Sequence, residues 1–191
     1  MHRRIPAELA RRVRLVALDV DGVLTDNGVY IGRTAGGDAV ELKKFDITDG
    51  IGIRMLVSAG LPVALVSGRE SEATRLRADE LGIECYQDSS ARKLPALRRL
   101  MADHGVAWDE VAFVGDDLAD LPALTRVGLP VAVGNAVAEV KALARWQTRR
   151  HGGDGAVREF AEALLKARGE WSRLVHEYQS AREDSEVVHG D

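Results

Sequence analysis

The sequence predicts an α/β fold in which a doubly wound, mainly parallel sheet carries helices on both faces. Three observations predict it. The apolar runs Leu15–Leu18, Val63–Val66, Val111–Val114 and Val131–Val133 are short, rich in Val, Leu and Ala, and nearly continuous, as in strands buried on both faces of a parallel sheet. Segments of helical length stand between them, and several stop at a glycine, which supplies the left-handed residue that closes a helix. Strand and helix therefore alternate, which is the pattern of a Rossmann-like layer architecture.

Taken in order, Leu15–Leu18 is the first strand, and the stretch Thr25–Phe45 then breaks the alternation. Val29-Tyr30-Ile31, the stretch Gly32 to Asp38 with its three glycines, and Val40-Glu41-Leu42 read as a β-hairpin with a loose tip, spanning about residues 25–45. A helix over Asp49–Ala59 opens on an acidic cap candidate and ends at Gly60. Strand Val63–Val66 leads to a helix over Glu70–Leu81 that ends at Gly82. The short strand Ile83–Tyr86 holds the single cysteine, Cys85, read as a small core hydrophobe. Lys93–His104 is a helix ending at Gly105, and Leu118–Val127 a helix ending at Gly128. Glu159–Lys166 reads as a last docked helix, Trp171–Tyr178 as an amphipathic extension, and the polar chain from Ala181 as a frayed tail. One domain over residues 1–169 and a helical extension with tail over 170–191 follow. The segments from Asp19 to Ser67 and from Ser67 to Lys93 are filled by the hairpin, two helices and a short strand, which leaves no room for a cap domain.

Composition narrows the function. Hydrophobic residues make up 46% and charged residues 29%, a globular rather than a disordered balance. A net charge of −4 supplies no basic field for nucleic acid. One cysteine excludes an intramolecular disulfide and a cysteine-rich zinc site. No apolar run of signal-peptide type begins the chain, and none approaches the roughly 20 residues of a membrane span. The expected location is the cytoplasm.

Ligands of open α/β sheets bind outside the carboxyl ends of the strands. After the first run come Asp19-Val20-Asp21-Gly22, after the second Ser67-Gly68-Arg69, and after the third Gly115-Asp116-Asp117 with Asp120 one turn on, while Lys93 opens a helix. Each piece alone is a turn former, a helix cap or a surface lysine, and Asp-x-Asp-Gly lacks the later ligands of a calcium loop. Together they place several carboxylates, a hydroxyl and an ammonium at one sheet edge. Clustered carboxylates repel one another and are best tolerated around a hard cation. Oxygen-only ligands point to Mg²⁺. Beside such an ion Asp19 can attack phosphorus as a nucleophile. Asp21 can supply the proton that a leaving alkoxide needs, while Ser67 and Lys93 hold the phosphoryl oxygens.

These four ordered pieces, Asp19-Val20-Asp21-Gly22-Val23, Ser67-Gly68-Arg69, Lys93 and Gly115-Asp116-Asp117-Leu118-Ala119-Asp120, resemble the motifs of haloacid-dehalogenase-superfamily phosphatases. The resemblance implies that Asp19 is the nucleophile and becomes phosphorylated, that Asp21 is the general acid and base, and that Ser67 and Lys93 bind the phosphoryl group. It also implies Mg²⁺ held by Asp19, the Asp21 carbonyl and Asp116, with Asp117 or Asp120 in support. Glu41-Leu42-Lys43-Lys44-Phe45-Asp46-Ile47-Thr48-Asp49-Gly50-Ile51-Gly52-Ile53-Arg54 and Gly152-Gly153-Asp154-Gly155-Ala156-Val157-Arg158-Glu159 resemble the capless phosphatases acting on 3-deoxy-D-manno-octulosonate 8-phosphate. That likeness implies a homotetramer assembled through its hairpins, and substrate contacts from Asp46, Asp49, Gly50, Arg54, Gly68, Arg69, Arg77 and Asp120. Thr48 stands where those enzymes usually have Arg, and Asp154 where they often have Arg or Lys. Both changes remove a cation near a substrate that carries a carboxylate, so a nonulosonate 9-phosphate or another small sugar phosphate stays open as substrate. A dehalogenase has no need of the acid Asp21, and a phosphomutase needs a shield from water. The reading of another class is a non-catalytic tetrameric interaction module.

Overall fold

The computed structural model describes residues 4–183. A six-stranded sheet is built from β1 (Leu15–Leu18), β4 (Val63–Ser67), β5 (Glu84–Gln87), β6 (Val111–Gly115), β7 (Leu129–Ala132) and β8 (Trp146–Gln147). Its order is β5-β4-β1-β6-β7-β8 and every pairing in it is parallel. Strands β1, β4, β6 and β7 are buried along their whole length, which is why their sequences are continuous apolar runs. The excursion between β1 and the first crossover helix is the antiparallel pair β2 (Tyr30–Arg33) and β3 (Ala39–Leu42), closed at its root by a Thr25–Phe45 bridge.

The helices are α1 (Ala7–Arg12), α2 (Ile47–Ser58), α3 (Glu72–Leu81), α4 (Lys93–His104), α5 (Leu121–Leu124), α6 (Ala138–Leu143), α7 (Ala156–Arg168) and α8 (Trp171–Glu183). Helix α7 packs against α1, α2 and α8, whereas α4, α5 and α6 pack in sequence as a second group. Phe113 of β6 and Phe160 of α7 are the largest wholly buried side chains.

Several boundaries move for identifiable reasons. Helix α2 begins earlier than expected because Asp46, not Asp49, is its cap and accepts from Thr48 N–H at 2.7 Å. Ser71 caps α3 in the same way, so that helix starts at Glu72. The helix expected over Leu118–Val127 is a 3₁₀ turn, Leu118–Asp120, followed by one turn of α5 with Pro122 near its start. Gly128 is no cap there: its α-carbon lies so close to the Asp109 carbonyl that a β-carbon would sit 2.1 Å from the oxygen. Cys85 is only half-buried, because β5 is an edge strand. Helix α8 continues past Ala181 to Glu183, and the rest of the expected tail lies outside the described residues. Among the described residues no helix is long and apolar enough to cross a membrane.

Candidate active site

Strands β1, β4 and β6 are neighbours at the centre of the sheet, so the loops at their carboxyl ends meet. The Asp19 N–H is held by the Val114 carbonyl at 3.0 Å, which carries the ladder one residue past β1. Asp19, Ser67, Lys93, Asp116 and Asp120 are all buried here. Lys93 Nζ lies 2.5 Å from Asp19 Oδ1 and also donates to Asp120 Oδ1. Asp120 Oδ2 accepts from the N–H groups of Asp116 (2.9 Å) and Asp117 (3.3 Å). One carboxylate oxygen each from Asp19, Asp116 and Asp120 lies within 4.8 Å of the other two.

Three carboxylates here face one ammonium. Burial pushes the Asp19 carboxyl above the usual carboxylate range, against the opposing pull of Lys93. Burial, and then the charges of Asp19 and Asp120, push Asp116 up as well. Burial disfavours the Lys93 charge, yet Asp19 and Asp120 on either side raise its pKa. Asp116 Oδ1 is buried with no hydrogen-bond partner. An orphaned carboxylate oxygen in an acidic, oxygen-only cluster fits a hard divalent cation.

The loop geometry comes from close backbone packing. Gly22 has φ +87°, and a β-carbon on it would stand 2.0 Å from Asp116 Oδ2. That conformation lets the chain turn back under β1, with Leu24 N–H on the Val20 carbonyl at 2.9 Å. Gly152 presses on the same turn: its β-carbon would lie 1.9 Å from the Gly22 oxygen. Asn135 ties the two loops together, donating from Nδ2 to the Gly22 carbonyl (3.0 Å) and accepting from Gly152 N–H (2.7 Å) at Oδ1.

Asp21 faces a second network, which arises from the hairpin root. Lys43 Nζ lies 2.7 Å from Asp21 Oδ1, and Glu41 accepts from Arg69 Nη2 (2.7 Å) and Ser71 Oγ (2.6 Å). Ser67 Oγ closes the local turn, donating to the Arg69 carbonyl at 2.9 Å and accepting from Arg69 N–H at 3.1 Å. Gly68 lies against Ala91, in the loop that leads to Lys93.

The remaining predicted residues fall elsewhere. Asp117 is exposed and accepts from Leu118 N–H at 2.7 Å, so of the two supporting acids Asp120 joins the cluster and Asp117 does not. Asp120 in turn is wholly buried behind Lys93, where it holds the ammonium rather than meeting a substrate. Asp49 is likewise inaccessible within one chain and accepts from Arg158 N–H at 2.7 Å, at the start of α7. Arg77 packs over the Phe45 ring, donates to the Asp46 carbonyl at 3.3 Å and lies against Gly50, clamping α3 to α2. Arg54 is exposed on α2 without an ion pair among the described residues. Lys43, Glu41 and Asn135 were missed. For the first two the signal was present: Glu41 and Lys43 alternate with the apolar Leu42 and so share a face. A cavity of about 260 Å³ lined by Arg11, Arg14, His104 and Arg168 lies near the start of β1 and β4, away from this chemistry. Arg14, His104 and Arg168 there are paired with Glu110, Glu84 and Glu170.

A sequence profile of the haloacid dehalogenase-like hydrolases matches residues 87–160. The 3-deoxy-D-manno-octulosonate 8-phosphate phosphatase KdsC of Escherichia coli K12 is 41% identical over 160 residues, 84% of this chain and 83% of that protein. The crystal structure of the phosphatase of that name from Yersinia pestis superposes with a TM-score of 0.81 at 39% identity, covering 87% of this chain and 88% of the other. The phosphatase of that name from Moraxella catarrhalis, in complex with magnesium ion, phosphate ion and KDO, superposes with a TM-score of 0.82 at 34% identity, covering 90% and 97%.

Proposed function

The chain belongs to the haloacid dehalogenase-like hydrolases, and we propose that it is a cytoplasmic, Mg²⁺-dependent phosphatase of 3-deoxy-D-manno-octulosonate 8-phosphate. The observation that carries this reading is the Lys93–Asp19 contact inside a group of three carboxylates at the carboxyl ends of the central strands. Asp19, Asp116 and the Asp21 main-chain carbonyl would hold the metal. The bound ion supplies countercharge to the carboxylates and to the phosphoryl group alike.

The chain's own groups divide the chemistry. A carboxylate oxygen of Asp19 attacks phosphorus, and the bond from phosphorus to the sugar oxygen breaks, leaving an aspartyl phosphate. Asp21 gives its proton to the departing oxygen, then takes one from the water that releases phosphate. Lys93, held in place by Asp120, and Ser67 stabilise the phosphoryl oxygens as charge moves onto them. Arg69, held by Glu41, presents a guanidinium at the mouth of the site for the sugar-acid carboxylate.

The cations absent at Thr48 and Asp154 have a replacement nearby. Arg150 Nη1 donates to the Asp154 carbonyl at 3.2 Å and lies beside Gly155, which in turn neighbours Thr48 Oγ1. This supports a sugar acid rather than a neutral sugar. The test is phosphate release with Mg²⁺ across sugar phosphates that include the octulosonate 8-phosphate and nonulosonate 9-phosphates. Preference for the octulosonate is expected, and preference for a neutral sugar phosphate would refute the substrate.

We also propose assembly into a homotetramer through the hairpin. Tyr30, Val40 and Leu42 share one of its faces, and Tyr30 and Leu42 are 64% and 60% exposed. An apolar face of this kind marks an interaction surface. Light scattering should give four chains, and Leu42→Asp should give fewer.

A further inference from the structure

We propose that Lys43 is a positioning residue that holds Asp21 in place for proton transfer; this rests on the phosphatase reading and deepens it. The Lys43 side chain is wholly buried. Lysines are almost never fully buried unless paired, and an ammonium has three donors to satisfy. Three oxygens surround this one: Asp21 Oδ1 at 2.7 Å, Thr74 Oγ1 at 3.2 Å and Glu41 Oε1 at 3.9 Å.

Two of those oxygens are anchored in turn. Thr74 is wholly buried in the first turn of α3, with its N–H on Ser71 Oγ. Glu41 is held by Ser71 and Arg69. The ammonium is therefore a fixed point between α3 and the hairpin root. Asp21 is the movable member. It stands in the turn after β1, its side chain is 20% exposed, and Lys43 is its only side-chain partner among the described residues. Lys43 and Asp21 Oδ1 form an ion pair at 2.7 Å without hydrogen-bond alignment, and Oδ1 is buried with no hydrogen-bond partner among the described residues. The attraction of a fixed ammonium restricts the carboxyl and leaves Oδ2 for the reacting group.

Asp21 is used in two steps, and only the first depends on the leaving group. As an Asp19 oxygen bonds to phosphorus, the phosphorus–oxygen bond to the sugar breaks and its electron pair goes to the sugar oxygen. The Asp21 proton passes to that oxygen. A misplacement of about 1 Å in such a transfer can cost on the order of 100-fold in rate. Lys43 touches neither substrate nor phosphorus and acts only through Asp21.

The experiment compares Lys43→Met, Lys43→Arg, Asp21→Asn and the Lys43→Met/Asp21→Asn double variant on two substrates. One is the best sugar phosphate of the panel, whose alkoxide needs a proton to leave. The other is p-nitrophenyl phosphate, whose nitrophenolate leaves without one. Lys43→Met should lower kcat on the sugar phosphate about 10- to 100-fold with KM within about threefold, and should leave the first-turnover release of nitrophenolate, which needs no proton, within about threefold. A preserved first turnover also reports a folded, metal-loaded protein. Lys43→Arg should recover part of the loss. The double variant should fall no further than Asp21→Asn, as two groups acting as one unit do. Equal losses in first-turnover release from the two substrates, or additive losses in the double variant, would overturn the proposal. If Asp21→Asn itself treats the two first turnovers alike, the acid assignment fails first, and the role of Lys43 fails with it.

Discussion

Replacing Asp49 by Asn should make the protein relatively more stable as pH rises. The Asp49 carboxylate is wholly buried at the start of α7 and accepts from Arg158 N–H at 2.7 Å, while its Oδ2 has no hydrogen-bond partner. Burial pushes its pKa from 3.8 to about 6, against the pull of the α7 N–H groups. A rise of that size corresponds to about 3 kcal/mol of preference for the neutral form in the folded state. Between pH 3.8 and 6 the unfolded chain gives up this proton and the folded chain keeps it. Stability therefore falls as pH rises through that window, and the whole cost is in force above it. Asn keeps the shape and the acceptor for Arg158 N–H but has no charge to bury. Urea unfolding of parent and variant at pH 4 and pH 7.5 cancels the other carboxylates in the difference. The difference should move in favour of Asn by about 2–3 kcal/mol, or about 4–12 °C in Tm for a chain of this size. A difference that stays constant with pH would show that Asp49 is solvated or paired, and the burial argument would be wrong.

Three further outcomes follow from the site. Mg²⁺ must displace protons from Asp19 and Asp116, whose carboxyls are raised by burial, so its affinity should fall as pH falls. The rise in Tm on adding Mg²⁺ should be larger at pH 8 than at pH 6, excess chelator should abolish both that rise and turnover, and equal shifts would refute the metal site. Lys93→Met leaves Asp19 and Asp120 buried without their cation and should cost about 3–5 kcal/mol in urea unfolding, together with turnover. A loss below about 1 kcal/mol would show that the pair is solvated. Gly152→Ala drives a methyl group into the Gly22 carbonyl and should lower activity about 100-fold by displacing the catalytic turn. Gly36→Ala, at the hairpin tip with only ordinary contacts, serves as the control, and equal activity in the two variants would refute the packing argument.

The parallel sheet was readable because each central strand is buried on both faces, and burial on both faces leaves a continuous apolar run. Strand β8 was not readable. It is two residues long and its place at the sheet edge depends on pairing with β7 rather than on its own sequence. Helix starts were misplaced where two acids competed for one cap. Asp46 and Asp49 both precede apolar residues, and only the packing of α2 against α7 sends the Asp49 carboxylate to another helix.

The candidate site divides along the same line. Asp19, Asp21, Ser67, Lys93 and Asp116 follow strands or open a helix, and the topology of a parallel sheet carries such positions to one edge, so local sequence sufficed to select them. Which supporting acid joins the cluster was undecided until the 3₁₀ turn aimed Asp120 inward and left Asp117 as a cap. The place of Asn135 came from the tertiary structure alone, and so did the partners of Lys43 and Glu41, whose alternation with Leu42 marks a shared face but not what that face meets. Each serves another loop, and a contact between segments far apart in the chain leaves no periodicity in either one. Sequence by itself determined the layer architecture and the chemistry of the strand ends, because both depend on burial and order along the chain. Tertiary structure decided which charges are paired, which are orphaned and which are merely structural, because those depend on distances that only the folded chain defines.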